Sequence, residues 1–218
     1  MNEELKEKFA AWGLRLDAAQ ETKLELFAAR LKESNAVMNL VSKADEPELW
    51  TRHICDSLAA VPVLRRYVTS GALIADSGTG AGFPGAPLAA ALEEFRFELL
   101  DSNGKRCAFL AQTLSDMGAA NAAVFQRRVG EGPRTARYSA VLERAMGRLE
   151  NVLPQCLNMV TQGGVFLAWQ SAAQLAQERP ELERALLKAR AAVVEKAGYR
   201  LPGEKEDRFI LVIKRTGR

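Results

Sequence analysis

One stretch limits the folds open to this chain more than any other: Ala72-Leu-Ile-Ala-Asp-Ser-Gly-Thr-Gly-Ala-Gly-Phe-Pro-Gly85. A short apolar run closes on an acid, and glycines then follow at Gly78, Gly80, Gly82 and Gly85. The pattern predicts a buried strand over 72–76 that turns tightly into a helix whose first turn holds Pro84 and Pro87. Gly78, Gly80 and Gly82 let the main chain take positive φ and leave its N–H groups open to a ligand, with no Cβ in the way. Such a loop suits a nucleotide-type cofactor.

Two registers overlap in this loop. Gly80-Ala-Gly82-Phe-Pro-Gly85 satisfies the dinucleotide pattern G-x-G-x-x-G, and Asp101 lies near the spacing at which an acid meets a ribose. Pro84 and Pro87, however, remove two N–H groups from a helix start where a pyrophosphate needs donors and the positive end of the dipole. A cofactor without phosphates does not need them. Asp76-x-Gly78-x-Gly80-x-Gly82 is similar to the acid and glycine loop of S-adenosylmethionine-dependent methyltransferases, in which the glycines face the methionine part and a second acid, here Asp101, takes the ribose hydroxyls. The methyl donor is the preferred reading. A dinucleotide and a glycine-rich turn without a ligand are the alternatives, and Asp101 has its own alternative as the N-cap of the helix that follows.

The chain's 218 residues suit one large domain, or a core with an added helical piece. Hydrophobic residues make up 48% and charged residues 26%, which is ordinary for a globular protein. No apolar run is long enough to span a membrane, and the start Met1-Asn-Glu-Glu-Leu-Lys lacks the pattern of a signal peptide, so a cytoplasmic location is expected. Cys55, Cys107 and Cys156 are widely spaced and odd in number, which points to buried thiols and to neither a disulfide framework nor a zinc site. The net charge of +3 is unevenly spread. Residues 101–148 hold eight Lys and Arg against four acids, whereas residues 71–100 hold one against four. The basic excess begins just past the glycine loop, which permits a nucleic-acid partner without requiring one.

Residues 1–70 read as a helical extension. Asp17 caps a helix with Gln20 three residues on, and Leu24, Phe27, Ala28 and Leu31 follow at helical spacing. Residues 35–42 read as an irregular link. A second capping box, Asp45-Glu-Pro-Glu48, starts a helix that declines at Pro62. From residue 71 strand and helix alternate: strands over 96–101, 122–126, 138–143 and 164–169, helices over 105–117, 149–160 and 172–191, and closing strands near 193–200 and 209–214. The predicted fold is α/β, a doubly wound and mostly parallel sheet with its ligand at the carboxyl ends of the strands.

Taken together, Asn39-Leu40, Arg52-His53-Ile-Cys-Asp56-Ser57-Leu58, Asp76 to Gly85, Leu99-Leu-Asp-Ser102, Gly104-Lys105-Arg106, Phe109-Leu110 and Arg144-Ala145 resemble the small-subunit ribosomal RNA guanine-N7 methyltransferase family, also known as glucose-inhibited division protein B. The likeness runs from about residue 35 to Val212-Ile-Lys214. It implies a seven-stranded, Rossmann-like methyltransferase sheet with an antiparallel last strand, S-adenosylmethionine as donor, and a guanine of 16S ribosomal RNA or the small subunit as acceptor. By position it implies cofactor contacts at Gly78, Phe83, Val129, Gly130 and Arg144, beside Asp76, Gly80, Gly82 and Asp101 from the loop reading. Lys105, Arg106, Arg127, Arg128 and Arg148 follow the carboxyl ends of strands two to four and become candidate RNA contacts, together with Asn39 and His53. The chain departs from the family at Ser77, where an aliphatic residue is usual, at Gly130, where Glu often stands, and at Ala168-Trp169-Gln170, where the family tends to have Lys.

Guanine N7 carries a free lone pair and no proton, so its methylation needs no general base. No catalytic acid or base and no metal are therefore expected, and a monomer is the expected state. Other acceptors remain as alternatives: a small molecule or protein methylated with the same loop, or a cofactor-dependent RNA-binding assembly factor.

Overall fold

The computed structural model describes residues 1–131 and 136–216, without the side chains of 178 and 179. Seven strands form one sheet: β1 (Leu73–Ser77), β2 (Arg96–Asp101), β3 (Ala122–Gln126), β4 (Tyr138–Glu143), β5 (Val160–Ser171), β6 (Ala191–Tyr199) and β7 (Arg208–Arg215). Their order across the sheet is β3-β2-β1-β4-β5-β7-β6. β1 to β5 pair in parallel, and β7 enters antiparallel between β5 and β6. The order reverses on either side of β1, so the crevice of the sheet opens between the carboxyl ends of β1 and β4.

Alternation along the strands sorts side chains to two faces. Ile74, Phe97, Leu99, Ala140, Leu142 and Val212 join one buried cluster with α1 (Glu3–Ala11), α2 (Ala18–Met38), α3 (Cys55–Leu58), α4 (Val61–Tyr67), α5 (Gly85–Ala91) and α6 (Gly104–Asp116). Ala75, Leu100, Val141, Phe166 and Ile213 join the other with α7 (Leu149–Met159) and α8 (Ala172–Lys188). Central strands covered on both faces account for the near-continuous apolar runs that the sequence displays.

The glycine loop, β1 to β4 and the capping box at Asp17 follow the expectation; Asp17 Oδ1 accepts from Gln20 N at 2.8 Å and Gln20 Oε1 from Asp17 N at 2.9 Å. The rest of the N-terminal region differs. A first helix, α1, is capped by Asn2, whose side chain accepts from Leu5 N at 3.0 Å. α2 continues through Asn35 to Met38 and ends on Asn39 in the left-handed region, where an irregular link was expected. Asn35 does not break the helix because its side chain serves the next loop: Oδ1 accepts from Val41 N at 2.9 Å and Nδ2 donates to Glu46 Oε2 at 2.7 Å.

No helix starts at Asp45. Its carboxylate accepts from Ser42 Oγ at 2.6 Å and from Arg52 Nη1 at 3.0 Å instead of capping. The helical path begins at Leu49 as a π-helical turn over Leu49–Ile54 and runs on into α3. Pro62, expected to mark the decline of the helix from Asp45, lies instead in the first turn of a new helix, α4. α8 stops at Lys188, so β6 starts earlier than expected, and β5 starts at Val160, with an irregular register between Tyr138 and Ala140 absorbing the extra length.

Candidate functional site

Asp76 fixes the glycine loop from beneath. Its Oδ2 accepts from Thr79 Oγ1 at 2.6 Å and from Gly85 N at 2.8 Å, and the side chain is 0% exposed. Burial is the largest influence on this carboxyl and pushes its pKa up to about 6, against the pull of those two hydrogen bonds. Gly85 must lack a side chain, because a Cβ there would lie 2.7 Å from Asp76 Oδ2 and 2.9 Å from Asp76 Cβ. Asp101, at the end of β2, fixes the loop from the side. Its Oδ2 accepts from Gly80 N at 2.9 Å and its Oδ1 from Asn103 N at 2.8 Å. The N-cap of α6 is Asn103, which accepts from Lys105 N and Arg106 N, so the capping alternative for Asp101 falls away.

Above the loop lies a cleft of about 640 Å³, within the range of small-molecule and cofactor sites. It is lined by Gly78, Gly80, Asp101, Phe83 and Arg144, by Leu40 to Ser42, Asp45 and His53 of the N-terminal region, and by Val129, Val152 and Gln155. Gly80 sits at φ +58°, and a Cβ on it would meet only Gly78 O, at 3.9 Å. The direction of the missing side chain is open cleft, as a ligand-cradling loop requires.

Arg144 leaves the end of β4 and binds the N-terminal helical segment. Its Nε donates to Asp56 Oδ2 at 2.9 Å, its Nη1 to His53 O at 3.4 Å, and its Nη2 to Arg52 O at 3.3 Å and to His53 Nδ1 at 2.8 Å. A guanidinium only donates, so His53 Nδ1 is the acceptor and Nε2 carries the proton. Burial, then the charge of Arg144, lowers the His53 pKa to about 4. The ring stacks on Phe83 with centroids 5.0 Å apart. Asp56 is the hub: besides Arg144 it accepts from Tyr199 OH at 2.5 Å and faces Arg208 Nη1 at 3.5 Å, and its main-chain oxygen accepts from Trp169 Nε1 at 3.0 Å. The buried acid thus joins the ends of β4, β5, β6 and β7 to α3.

Residues 20–200 match the profile of a family described as rRNA small subunit methyltransferase G (GidB). The chain belongs to this family. It is 33% identical over 215 residues to the ribosomal RNA small subunit methyltransferase G of Marinobacter nauticus, covering 99% of this chain and 95% of that protein. It is 37% identical over 164 residues to the protein of the same name from Sorangium cellulosum, covering 74% and 68%. Among solved structures it is similar to a ribosomal protein L11 methylase from Lactobacillus delbrueckii subsp. bulgaricus, with a TM-score of 0.57 at 17% identity over 74% of this chain and 79% of that one, a likeness of fold.

Placed on this methyltransferase, the expected site residues divide. Gly78, Gly80, Phe83, Asp101, Val129 and Arg144 line the cleft, as do His53, Arg106, Arg127 and Arg128. Asp76 does not: its carboxylate shapes the loop from below and is not offered to a ligand. Gly82 does not either, since a Cβ there would lie 2.8 Å from Leu110 Cδ2, so this glycine serves packing against α6. Gly130 lies beneath Gln155 rather than on the cleft wall. Asn39, Lys105 and Arg148 also fall outside the wall. Arg144 faces the cleft, but its donors are directed to Asp56, His53 and Arg52, so its first role is to hold that side of the site together. Sequence reasoning missed the hub role of Asp56, although an acid amid Ile54, Cys55, Ser57 and Leu58 is a signal of a buried partner. Among the described residues no group of three or more His, Cys, Asp or Glu is placed to hold a metal, and no helix is long and apolar enough to cross a membrane.

The cleft fits S-adenosylmethionine. Gly78 and Gly80 would face its methionine part, and Asp101, whose oxygens each keep a lone pair beyond the Gly80 and Asn103 bonds, would accept from the ribose hydroxyls.

Proposed function

We propose that this chain transfers a methyl group from S-adenosylmethionine to N7 of a guanine in the 16S ribosomal RNA of the small subunit. One observation beyond family membership carries the reading: the only histidine is held neutral, with its Nδ1 lone pair committed to Arg144. Asp45, which lines the same cleft, is held below the usual carboxylate range by its bond from Ser42, which makes it a poor base. An acceptor that must lose a proton is served badly here. Guanine N7 has none to lose.

The donor supplies an activated methyl group, and the residues of the chain supply position. Phe83 and the Gly78–Gly80 main chain line the cleft in which the donor would be placed, and in-line placement of the reacting atoms can contribute roughly 7–11 kcal/mol of barrier reduction. Arg106, Arg127 and Arg128 at the rim are suited to phosphates of a strand whose target base enters from outside. The protein acts as a monomer in the cytoplasm. Incubation of small subunits with donor labelled in the methyl group, followed by nuclease digestion, tests the reading. Label is expected in 7-methylguanosine from 16S RNA. Label only in ribosomal protein, or on another base, would overturn it.

A further inference from the structure

Val129 and Val152 contribute apolar surface to the cleft lining, and Gln155 contributes a primary amide to it. Gln155 extends from α7 across Gly130: a Cβ on Gly130 would lie 3.1 Å from its Cδ and 3.2 Å from its Cγ and Oε1. Gly130, at φ +87°, has no side chain, and the Gln155 side chain occupies the space into which one would point. Several polar groups of the cleft already have partners: Thr79 bonds Asp76, Arg127 bonds Glu131 O, Arg144 pairs with Asp56, and Asp101 accepts from two main-chain amides. The Gln155 amide makes no hydrogen bond among the described residues, and it is not spoken for elsewhere.

We propose that Gln155 reads the adenine of S-adenosylmethionine, its Oε1 accepting from the exocyclic amine and its Nε2 donating to a ring nitrogen. The inference rests on the donor reading of the cleft. If Gly78 and Gly80 hold the methionine part and Asp101 the ribose, the base falls next along the same line. β2 and β3 run side by side with Asp101 opposite Gln126, which brings residues 127–130 beside Asp101. Val129 and Val152 then offer the purine two apolar faces, and Gln155 offers an acceptor and a donor at its edge, the pairing by which primary amides recognise adenine elsewhere.

Calorimetry on the free protein tests this without RNA or turnover. The ligands are S-adenosylhomocysteine and its analogue lacking the 6-amino group, and the proteins are wild type and Gln155→Leu. For S-adenosylhomocysteine the substitution should weaken binding about tenfold, the scale of a two-point amide contact. For the analogue the loss should be about threefold or less, because one of the two bonds is already gone. Gln155 is exposed, so the melting temperature should hold within about 1 °C. Equal losses for both ligands, or no loss for either, would overturn the assignment of Gln155 while leaving the donor site intact. Failure of the wild type to bind either ligand would overturn the donor reading itself, and this inference with it.

Discussion

Arg144 and Asp56 meet at 2.9 Å with the carboxylate 1% exposed, so the end of β4 and the N-terminal helical segment are joined by a buried ion pair. Removing one member of such a pair costs more than the pair contributes, because the other charge stays buried. Arg144→Ala should therefore lower stability by about 3 kcal/mol and slow methylation at least about tenfold. Arg144→Lys keeps the charge but not the fork, and it should recover part of the stability while leaving His53 and Arg52 O without their common donor. Urea melts and single-turnover assays separate the two effects. Wild-type rates in Arg144→Ala would remove this arginine from the site.

The two acids of the loop should behave differently when removed. Asp101→Ala deletes the acceptor for Gly80 N and one proposed ribose contact, so donor affinity should fall roughly ten- to hundredfold. Asn103→Ala deletes the cap of α6 and should cost about 1 kcal/mol of stability with donor affinity nearly unchanged. Isothermal titration beside thermal melts of both variants checks the pair, and the reverse pattern would return Asp101 to a structural role.

Glycine substitutions should split in the same way. Gly85→Ala drives a Cβ into Asp76 and Leu99, so the fold should suffer first, seen as a lower melting temperature before any ligand is added. Gly80→Val points into the open cleft from a left-handed residue. It should cost about 1–2 kcal/mol of backbone strain and lose most donor binding while the protein remains folded. Equal donor affinity for wild type and Gly80→Val would take the loop out of the site.

The pH dependence follows from His53 and Asp76. With a folded pKa of about 4 against an ordinary 6.5, His53 binds its proton more readily in the unfolded chain, so its contribution to stability is complete above pH 6.5 and is lost as pH falls toward 4. Asp76 is shifted the other way, up to about 6 from 3.8, so its contribution is present below 3.8 and is lost as pH rises through 6. The two oppose each other between pH 4 and 6. His53→Gln should leave the Asp76 trend exposed, with stability falling as pH rises across that window. The methylation rate itself should be flat from pH 6 to 9; a steep rise with an apparent pKa near 7 would mean that a base operates in the cleft.

What the sequence made legible was local. The apolar run, the acid and the glycines of 72–85 lie side by side in the chain, and they predicted strand, loop and helix start together because each signal needs only its neighbours. Asp45 shows the limit: it carries the pattern of a cap, but Ser42 and Arg52 offered its carboxylate better partners, and the helix starts four residues later. Asp56 shows it more fully. Its partner Tyr199 is 143 residues away, and pairings at that range leave no periodicity to read. Gly130 and Gln155 are likewise joined only by the packing of α7 beside the loop after β3.

The place of β7 has a consequence for how the protein is made. β6 pairs only with β7 in the sheet, and Arg208, at the start of β7, is one of the partners of Asp56. A nascent chain that has already released the whole glycine loop from the ribosome still holds an unpaired strand and a buried acid short of a cation. The wall behind Arg144 closes with the last strand to emerge. Ribosome-stalled chains that expose residues up to Lys205 should therefore remain open to protease, and chains that also expose Arg215 should resist it. Equal resistance at both lengths would mean that β1 to β5 stand on their own.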